Sequence, residues 1–473
     1  MIRRLLAALA AAGLAFAPAA APAQDFPTTM PEAGTPRPFT VPASETYALP
    51  NGMQVTLIPY GQIPKATVSL YVYAGGLNEG EDRWLSTLTA QMLREGAAGR
   101  TGAAIAEAAA GMGGQLGIGT SQHDTTLGLS VLSEHADNAI RLIGDVARRP
   151  DFPQSEFGRV RDSLLRNLAV AKSQPQPAAN AALAAAYYGP RHPYGRLFPT
   201  EAQLTGYTLD EARAFHQANF GARRARLYVA GRFDPAAVKE AINLAFGDWA
   251  GGPERLRLAP QPQPGPRLIL VDRPDAAQST MRIAFPAPIA GDPSDLQFRV
   301  TNALLGGAFN SRITTNIREK RGYTYSPGSG VTWNPGEAMW TFNADVTTDV
   351  TGPALKEVIG EIRRLQTEPP TAAEAAGMRT YMAGIFVLQN ASPAGLINSV
   401  ATRDFHGLPA NWLESYIPGV LAVDAPAMQT IARRQLPLER MTIVVVGDLA
   451  KVEPQLKALP ELQGTRFERV KPF

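Results

Sequence analysis

Apolar and polar residues alternate along Thr67–Tyr73, with Val68, Leu70 and Val72 on one face, and this period of two predicts a half-buried strand. Val55–Ile58 reads as a second strand and Thr125–Val131 as a third, again alternating. The period changes over Asp82–Glu95, where Leu85, Leu88 and Met92 share one stripe and Gly96 supplies a stop, so this stretch predicts a helix. A further helix is predicted behind Ser133 as its N-cap, carrying Ala136, Ile140, Ile143 and Val146 and ended by Pro150. Hairpin-like strands followed by long helices predict an α+β layer, a sheet with helices on one face.

The pattern recurs. The helix core Leu142–Val146 is matched by Val358–Ile362, which pairs Gly144 with Gly360. The late strand Arg226–Gly231 is matched by Thr442–Gly447, and Gly231 stands as far from Gly447 as Gly144 does from Gly360. Between the copies, Leu258–Pro266 carries alternating prolines that favour extended backbone and forbid a helix. Two matches at one offset predict a duplicated domain. The copies are placed at 44–256 and 268–473, joined by a Pro-rich linker at 257–267 and preceded by a flexible Pro/Thr-rich entry at 24–43.

Residues 1–23 differ in kind from the rest of the chain. A basic start at Arg3-Arg4 precedes the apolar run Leu5–Ala17 and a small-residue tract ending Ala21-Pro22-Ala23, the layout of a cleavable secretory signal. Thirteen apolar residues make a helix of about 20 Å, short of the ~30 Å hydrocarbon core of a bilayer. Export to a periplasm is therefore expected, with no membrane anchor left after the signal is removed. The 473-residue chain is 45% hydrophobic and 18% charged, which excludes disordered-tail and collagen-like classes. Lys and Arg number 45 against 42 Asp and Glu, and with Arg3 and Arg4 in the leader almost no excess charge remains, so no nucleic-acid partner is expected. The absence of cysteine removes disulfides, thiol nucleophiles, cysteine-ligated zinc and a lipoprotein anchor together.

Several motifs together carry a resemblance. They are the opening Ala48-Leu49-Pro50-Asn51-Gly52-Met53, the Gly75-Gly76 turn before the first long helix, Gly113-Gly114 leading to Thr120, and His192-Pro193-Tyr194-Gly195. With the duplicated strands ending at Gly231 and Gly447, the chain resembles the pitrilysin/insulinase metallopeptidases, which include the mitochondrial processing peptidase. The resemblance implies two homologous α/β-roll domains forming half of a clamshell, and in size the chain resembles half-length bacterial subunits that pair to close a chamber.

The family's site lies on the first long helix as His-x-x-Glu-His. Spacing of i and i+4 sets two imidazoles on one helical face for zinc, and the Glu activates a bound water. Here the ligand positions fall on Thr87 and Gln91, the base on Ala90, and the distal Glu ligand on Asn167. A hydroxyl, two amides and a methyl hold no zinc and accept no proton from its water at neutral pH. No cofactor is expected in this chain. The five histidines, His123, His135, His192, His216 and His406, include no pair three or four apart, and His123 and Asp124, adjacent on a predicted strand, are expected on opposite faces. No serine-nucleophile elbow, phosphate loop or dinucleotide fingerprint is present. Gly111–Gly119 reads as a turn feeding an edge strand, and in the family that edge accepts extended peptide, so Gly117 and Gly119 are candidate substrate contacts.

The second half carries Phe309-Asn310-Ser311-Arg312-Ile313 and then Ile317-Arg318-Glu319-Lys320-Arg321-Gly322-Tyr323-Thr324-Tyr325. This resembles the family's C-domain motif, whose Arg and Tyr, here Arg318 and Tyr325, reach toward a zinc site on a facing domain. A phenol and a guanidinium are suited to the oxyanion of peptide hydrolysis. A plain structural reading also exists, with the charges in solvent and the tyrosines half-buried on a sheet. Arg321 and Tyr323 are close competitors, and spacing alone selects Arg318 with Tyr325. Gly306-Gly307 follows Ala90-Gln91 at the offset of the repeat, and is expected to take the place of the lost metal-helix core.

The expectation is a zinc-free subunit of a heterodimeric peptidase. A paralogous partner would supply zinc, and this chain would supply Arg318, Tyr325 and a chamber wall for short unfolded peptides. The alternative is a metal-independent peptide-binding or assembly scaffold of the same fold.

Overall fold

Apolar strands, alternating toward the edges and continuous at the centre, build two six-stranded sheets of one topology. The computed structural model describes Thr29, residues 39–263 and residues 265–473, so the leader expected at 1–23 lies outside the described residues. The first sheet comprises β1 (Glu45–Ala48), β2 (Gln54–Pro59), β3 (Lys65–Val72), β4 (Gly117–Thr120), β5 (Thr125–Leu132) and β6 (Ala225–Gly231). Their spatial order is β1-β2-β6-β3-β5-β4. The helices of this half are α1 (Leu85–Leu93), α2 (Ala136–Arg148), α3 (Gln154–Ser173) and α4 (Pro175–Tyr188), among others. Val68 and Leu70 of β3 are fully buried with Leu88 and Met92 of α1 and Ile140 and Ile143 of α2, the stripes expected from the sequence.

Two boundaries differ from expectation. Trp84 takes a left-handed φ of 64°, so α1 starts at Leu85 rather than Asp82. Ser133 opens a single 3-10 turn, and α2 starts at Ala136 with no side-chain cap.

The second sheet comprises β7 (Arg267–Asp272), β8 (Gln278–Pro286), β9 (Gly328–Asn334), β10 (Glu337–Thr347), β11 (Thr442–Gly447) and β12 (Arg466–Val470). Its order is β12-β7-β11-β8-β10-β9, the order of the first sheet with its outer strand supplied from the end of the half instead of the start. Val68 pairs with Val229 in one sheet and Met281 with Val445 in the other. Strand β11 thus keeps the offset of the repeat from β6, Val229 matching Val445. Strand β8 stands closer to β3, because Val68 is matched by Met281 and not by Ala284. At that closer offset Gly306 corresponds to Leu93, the end of α1, and not to Ala90 at its centre.

The other face of each sheet is covered by a helix from the opposite half. Helices α5 (Asp295–Asn302), α6 (Thr351–Thr367) and α7 (Pro393–His406) belong to the second half. Ala179, Leu183 and Tyr187 of α4 pack on Ile269, Val444 and Val446 of the second sheet. Leu396, Ile397 and Val400 of α7 share a core with Ile58, Tyr228 and Ala230 of the first. Polar bonds follow the same exchange: Tyr71 donates to Asn398 at 3.2 Å, Tyr228 to Asp404 at 3.1 Å, and Arg282 to Asn180 at 3.0 Å.

Candidate functional site

Helix α1 is held at its start by a buried carboxylate. Glu79 accepts from the Ser86 N–H at 2.9 Å and its hydroxyl at 2.5 Å, and burial raises the Glu79 pKa above the usual carboxylate range. The helix packs between α3 and edge strand β4. Thr87 and Gln91 are half-buried, Ala90 is buried, and Asn167 is exposed on α3. The Thr87 hydroxyl is spent on a 3.1 Å bond to the Thr120 hydroxyl of β4, and Arg94, one residue past the helix, donates to the Ile118 carbonyl at 3.2 Å. These residues do not fit zinc: none supplies an imidazole or carboxylate. Among the described residues no group of three His, Asp or Glu side chains is placed to hold a metal ion.

Strand β4 lies at one edge of the first sheet, the edge position expected from the sequence, with β1 at the other. Gly117 and Gly119 are exposed, and a Cβ added at Gly119 would meet nothing within 4 Å. The chain itself therefore does not require glycine there; its effect is to leave backbone and space open along the edge.

The second-half motif is built around two π-helical segments, Ala303–Gly307 and Thr314–Lys320, with Phe309 in the turn between them and Tyr323 and Tyr325 in the non-helical stretch that follows. The glycines are needed for close approach: a Cβ at Gly306 would stand 2.6 Å from the Ser329 hydroxyl, and one at Gly307 2.7 Å from the Asn302 amide. Arg312 is buried and closes on Glu374 at 2.8 and 3.0 Å, which holds the Glu374 pKa down to about 2. The competing pairs now separate. Arg321 is committed internally, at 2.7 Å from Glu357 and 3.0 Å from the Asn316 side chain, and Tyr323 packs on the second core. Arg318 instead lies over the Tyr325 ring at 5.0 Å and the Phe309 ring at 4.6 Å, and those rings are 80% and 72% exposed. Its one acidic neighbour is exposed Glu319, at 3.4 Å.

Two family models match along this chain. One, described as insulinase (peptidase family M16), matches residues 55–197, and one described as peptidase M16 inactive domain matches residues 206–382. The chain belongs to the insulinase (M16) peptidase family. An uncharacterized zinc protease of Mycobacterium tuberculosis is 27% identical over 63% of this chain and 69% of its own length. A probable mitochondrial-processing peptidase subunit beta of Arabidopsis thaliana is 23% identical over 57% of this chain and 51% of its own. Among solved structures, a peptidase M16 inactive domain from Pseudomonas fluorescens superposes with a TM-score of 0.78 at 24% identity, covering 85% of this chain and 98% of that one. A protease from Helicobacter pylori superposes with a TM-score of 0.79 at 17% identity, covering 86% and 100%.

Within this M16 fold the sequence leaves one cluster unannounced. His123 and Asp124 lie in the turn between β4 and β5, not on a strand, and both line one cavity of about 260 Å³ between the halves, with Tyr73, Phe405 and His406. The expectation of opposite faces fails because a turn does not alternate its side chains as a strand does. His123 lies 3.3 Å from the Asn334 amide oxygen, and Arg255 lies against both the Tyr73 ring at 4.2 Å and the Phe405 ring at 4.0 Å, with those two rings 5.8 Å apart. Burial, then the Arg255 and His123 charges, push the His406 pKa down to about 4. The remaining histidines lie outside this cluster: His216 bonds the Ala147 carbonyl at 2.8 Å, His192 stacks on Tyr194, and partly exposed His135 lies 3.7 Å from Glu134. Residues far apart in sequence build this junction, and no local spacing marks it. Among the described residues no helix is long and apolar enough to cross a membrane.

Proposed function

We propose that this chain is the zinc-lacking subunit of a heterodimeric periplasmic metallopeptidase. A paralogous partner supplies the His-x-x-Glu-His site, and this chain lends Arg318, Tyr325 and a chamber wall. The observation that carries the reading is the stack of Arg318 on the exposed Tyr325 ring, beside an Arg321 that lies 2.7 Å from Glu357 and a half-buried Tyr323 packed on the second core. With Glu319 on Nε at 3.4 Å but no bidentate carboxylate clamp, the guanidinium keeps its terminal N–H groups for an outside acceptor, and a phenol beside it adds an O–H donor. Both donors suit the anionic oxygen that develops when a peptide carbonyl is attacked, and removing one such donor costs roughly 10²–10³ in rate. A chamber closed by two such subunits would admit short unfolded peptides, which the open edge at Gly117 and Gly119 would take up by main-chain pairing.

The test is cleavage of a quenched-fluorescence peptide by the mature chain, alone and mixed with a paralogue that keeps His-x-x-Glu-His. Activity only in the mixture, lost by about tenfold or more in Arg318→Ala or Tyr325→Phe, establishes a complementing subunit. Mixture activity that ignores both substitutions makes the chain a scaffold, and zinc-dependent cleavage by the chain alone overturns the reading.

A further inference from the structure

We infer that Phe309 is the positioning residue of the Arg318–Tyr325 pair, holding the guanidinium in the plane in which it meets its acceptor; this rests on the function proposed above. The Arg318 side chain is only 23% exposed although the two rings over it are 72% and 80% exposed. The rings therefore cover the guanidinium with surface that gains little burial of its own. A bidentate carboxylate would fix the same side chain more strongly, as Glu374 fixes Arg312. It would also consume the N–H donors. Aromatic faces fix the plane through the π cloud and consume no N–H, so the terminal in-plane donors stay free while Nε lies 3.4 Å from the exposed Glu319 carboxylate.

The turn carrying Phe309 is itself immobilised from below. The Ala308 N–H donates to the Ala303 carbonyl at 3.0 Å, the Ser311 hydroxyl lies 2.9 Å from that of Thr314, and buried Arg312 locks onto Glu374. An exposed phenylalanine on a rigid turn has no folding role that burial explains. Stacking on Arg318 and cover by a facing subunit explain it.

The experiment compares Phe309→Leu, Phe309→Tyr, Arg318→Ala and wild type in the peptide-cleaving mixture, and follows the Arg318 Nε–H resonance of the full chain alone, assigned by its loss in Arg318→Lys. Phe309→Leu is expected to lower kcat by about five- to thirtyfold with little change in KM, and Phe309→Tyr to restore it. The resonance is expected upfield from ring currents in wild type and Phe309→Tyr, and downfield of that in Phe309→Leu. Unchanged kcat in Phe309→Leu, with Arg318→Ala still impaired, overturns this inference and leaves the proposed function intact. Unchanged rates in both overturn the proposed function and this inference with it. The high exposure of Phe309 keeps Phe309→Leu folded, which an unchanged thermal midpoint verifies.

Discussion

The hydroxyl of Thr87 lies 3.1 Å from that of Thr120, so the position where the family places a zinc ligand is tied to the edge strand instead. With Arg94 on the Ile118 carbonyl, two side-chain bonds close α1 and its following turn onto β4. The chain dialysed against micromolar zinc should carry no stoichiometric metal by native mass spectrometry. Thr87→Ala should cost only about 0.5–1.5 kcal/mol in urea unfolding, the worth of one part-buried neutral hydrogen bond. One zinc per chain, lost in Thr87→Ala or Gln91→Ala, would sink this account of the site.

Arg318 and Arg321 should respond oppositely to truncation. Arg321→Ala removes a 2.7 Å ion pair to Glu357 that is partly solvent-screened, so it should lower stability by about 0.5–1.5 kcal/mol and leave cleavage by the mixed subunits unchanged. Arg318→Ala should leave the unfolding midpoint nearly fixed and lower cleavage by about tenfold or more. Measuring both quantities on both variants checks the assignment, and a swapped outcome would hand the role to Arg321 and Tyr323.

Much of this molecule is legible in its sequence because it depends on local periodicity. The stripes Val68-Leu70 and Leu85-Leu88-Met92 face the core they predict, and the duplicated strands ending at Gly231 and Gly447 hold equivalent places in the two sheets. The features that escape are set by distant contacts. No pattern in Pro175–Tyr188 says that Tyr187 will cover the other half's sheet, because a buried alanine-rich helix looks the same whichever sheet it meets. Ser133 fits the N-cap preference, yet a 3-10 turn intervenes before the helix. Spacing selects Arg318 over Arg321, but only the positions of Glu357 and Phe309 explain why the first stacks on exposed rings while the second pairs with a carboxylate at 2.7 Å.

The exchanged helices α4 and α7 should make the two halves unfold together. Ala179 is fully buried against the second sheet although it belongs to the first half, so Ala179→Leu overpacks the contact between the halves and should cost about 1–3 kcal/mol. Calorimetry should show one transition in wild type and one, at lower temperature, in Ala179→Leu. Two separated transitions, with only one moved by the substitution, would mean the halves are energetically independent.

Acid should weaken the fold in two windows with different causes. His406 has its pKa lowered from 6.5 to about 4, first by burial and then by the Arg255 and His123 charges. Above the unfolded value both states hold a neutral ring. As pH falls through 6.5 toward 4 the unfolded chain binds a proton that the folded chain refuses, so stability falls across that window. The ring is partly exposed, and solvent screening limits the loss to about 1–2 kcal/mol. Glu374, lowered from 4.5 to about 2 first by its hydrogen bonds to Arg312, contributes stability above 4.5 that is lost as pH falls from there toward 2. Urea unfolding at pH 7.5 and pH 5 should therefore show a smaller acid loss in His406→Gln than in wild type. Glu374→Gln should lose about 2–3 kcal/mol at both values, because it strands the buried Arg312 guanidinium. Equal acid loss in wild type and His406→Gln between pH 7.5 and pH 5 would move the upper window to another group at the junction, with His123, lowered mainly by burial, the first to test.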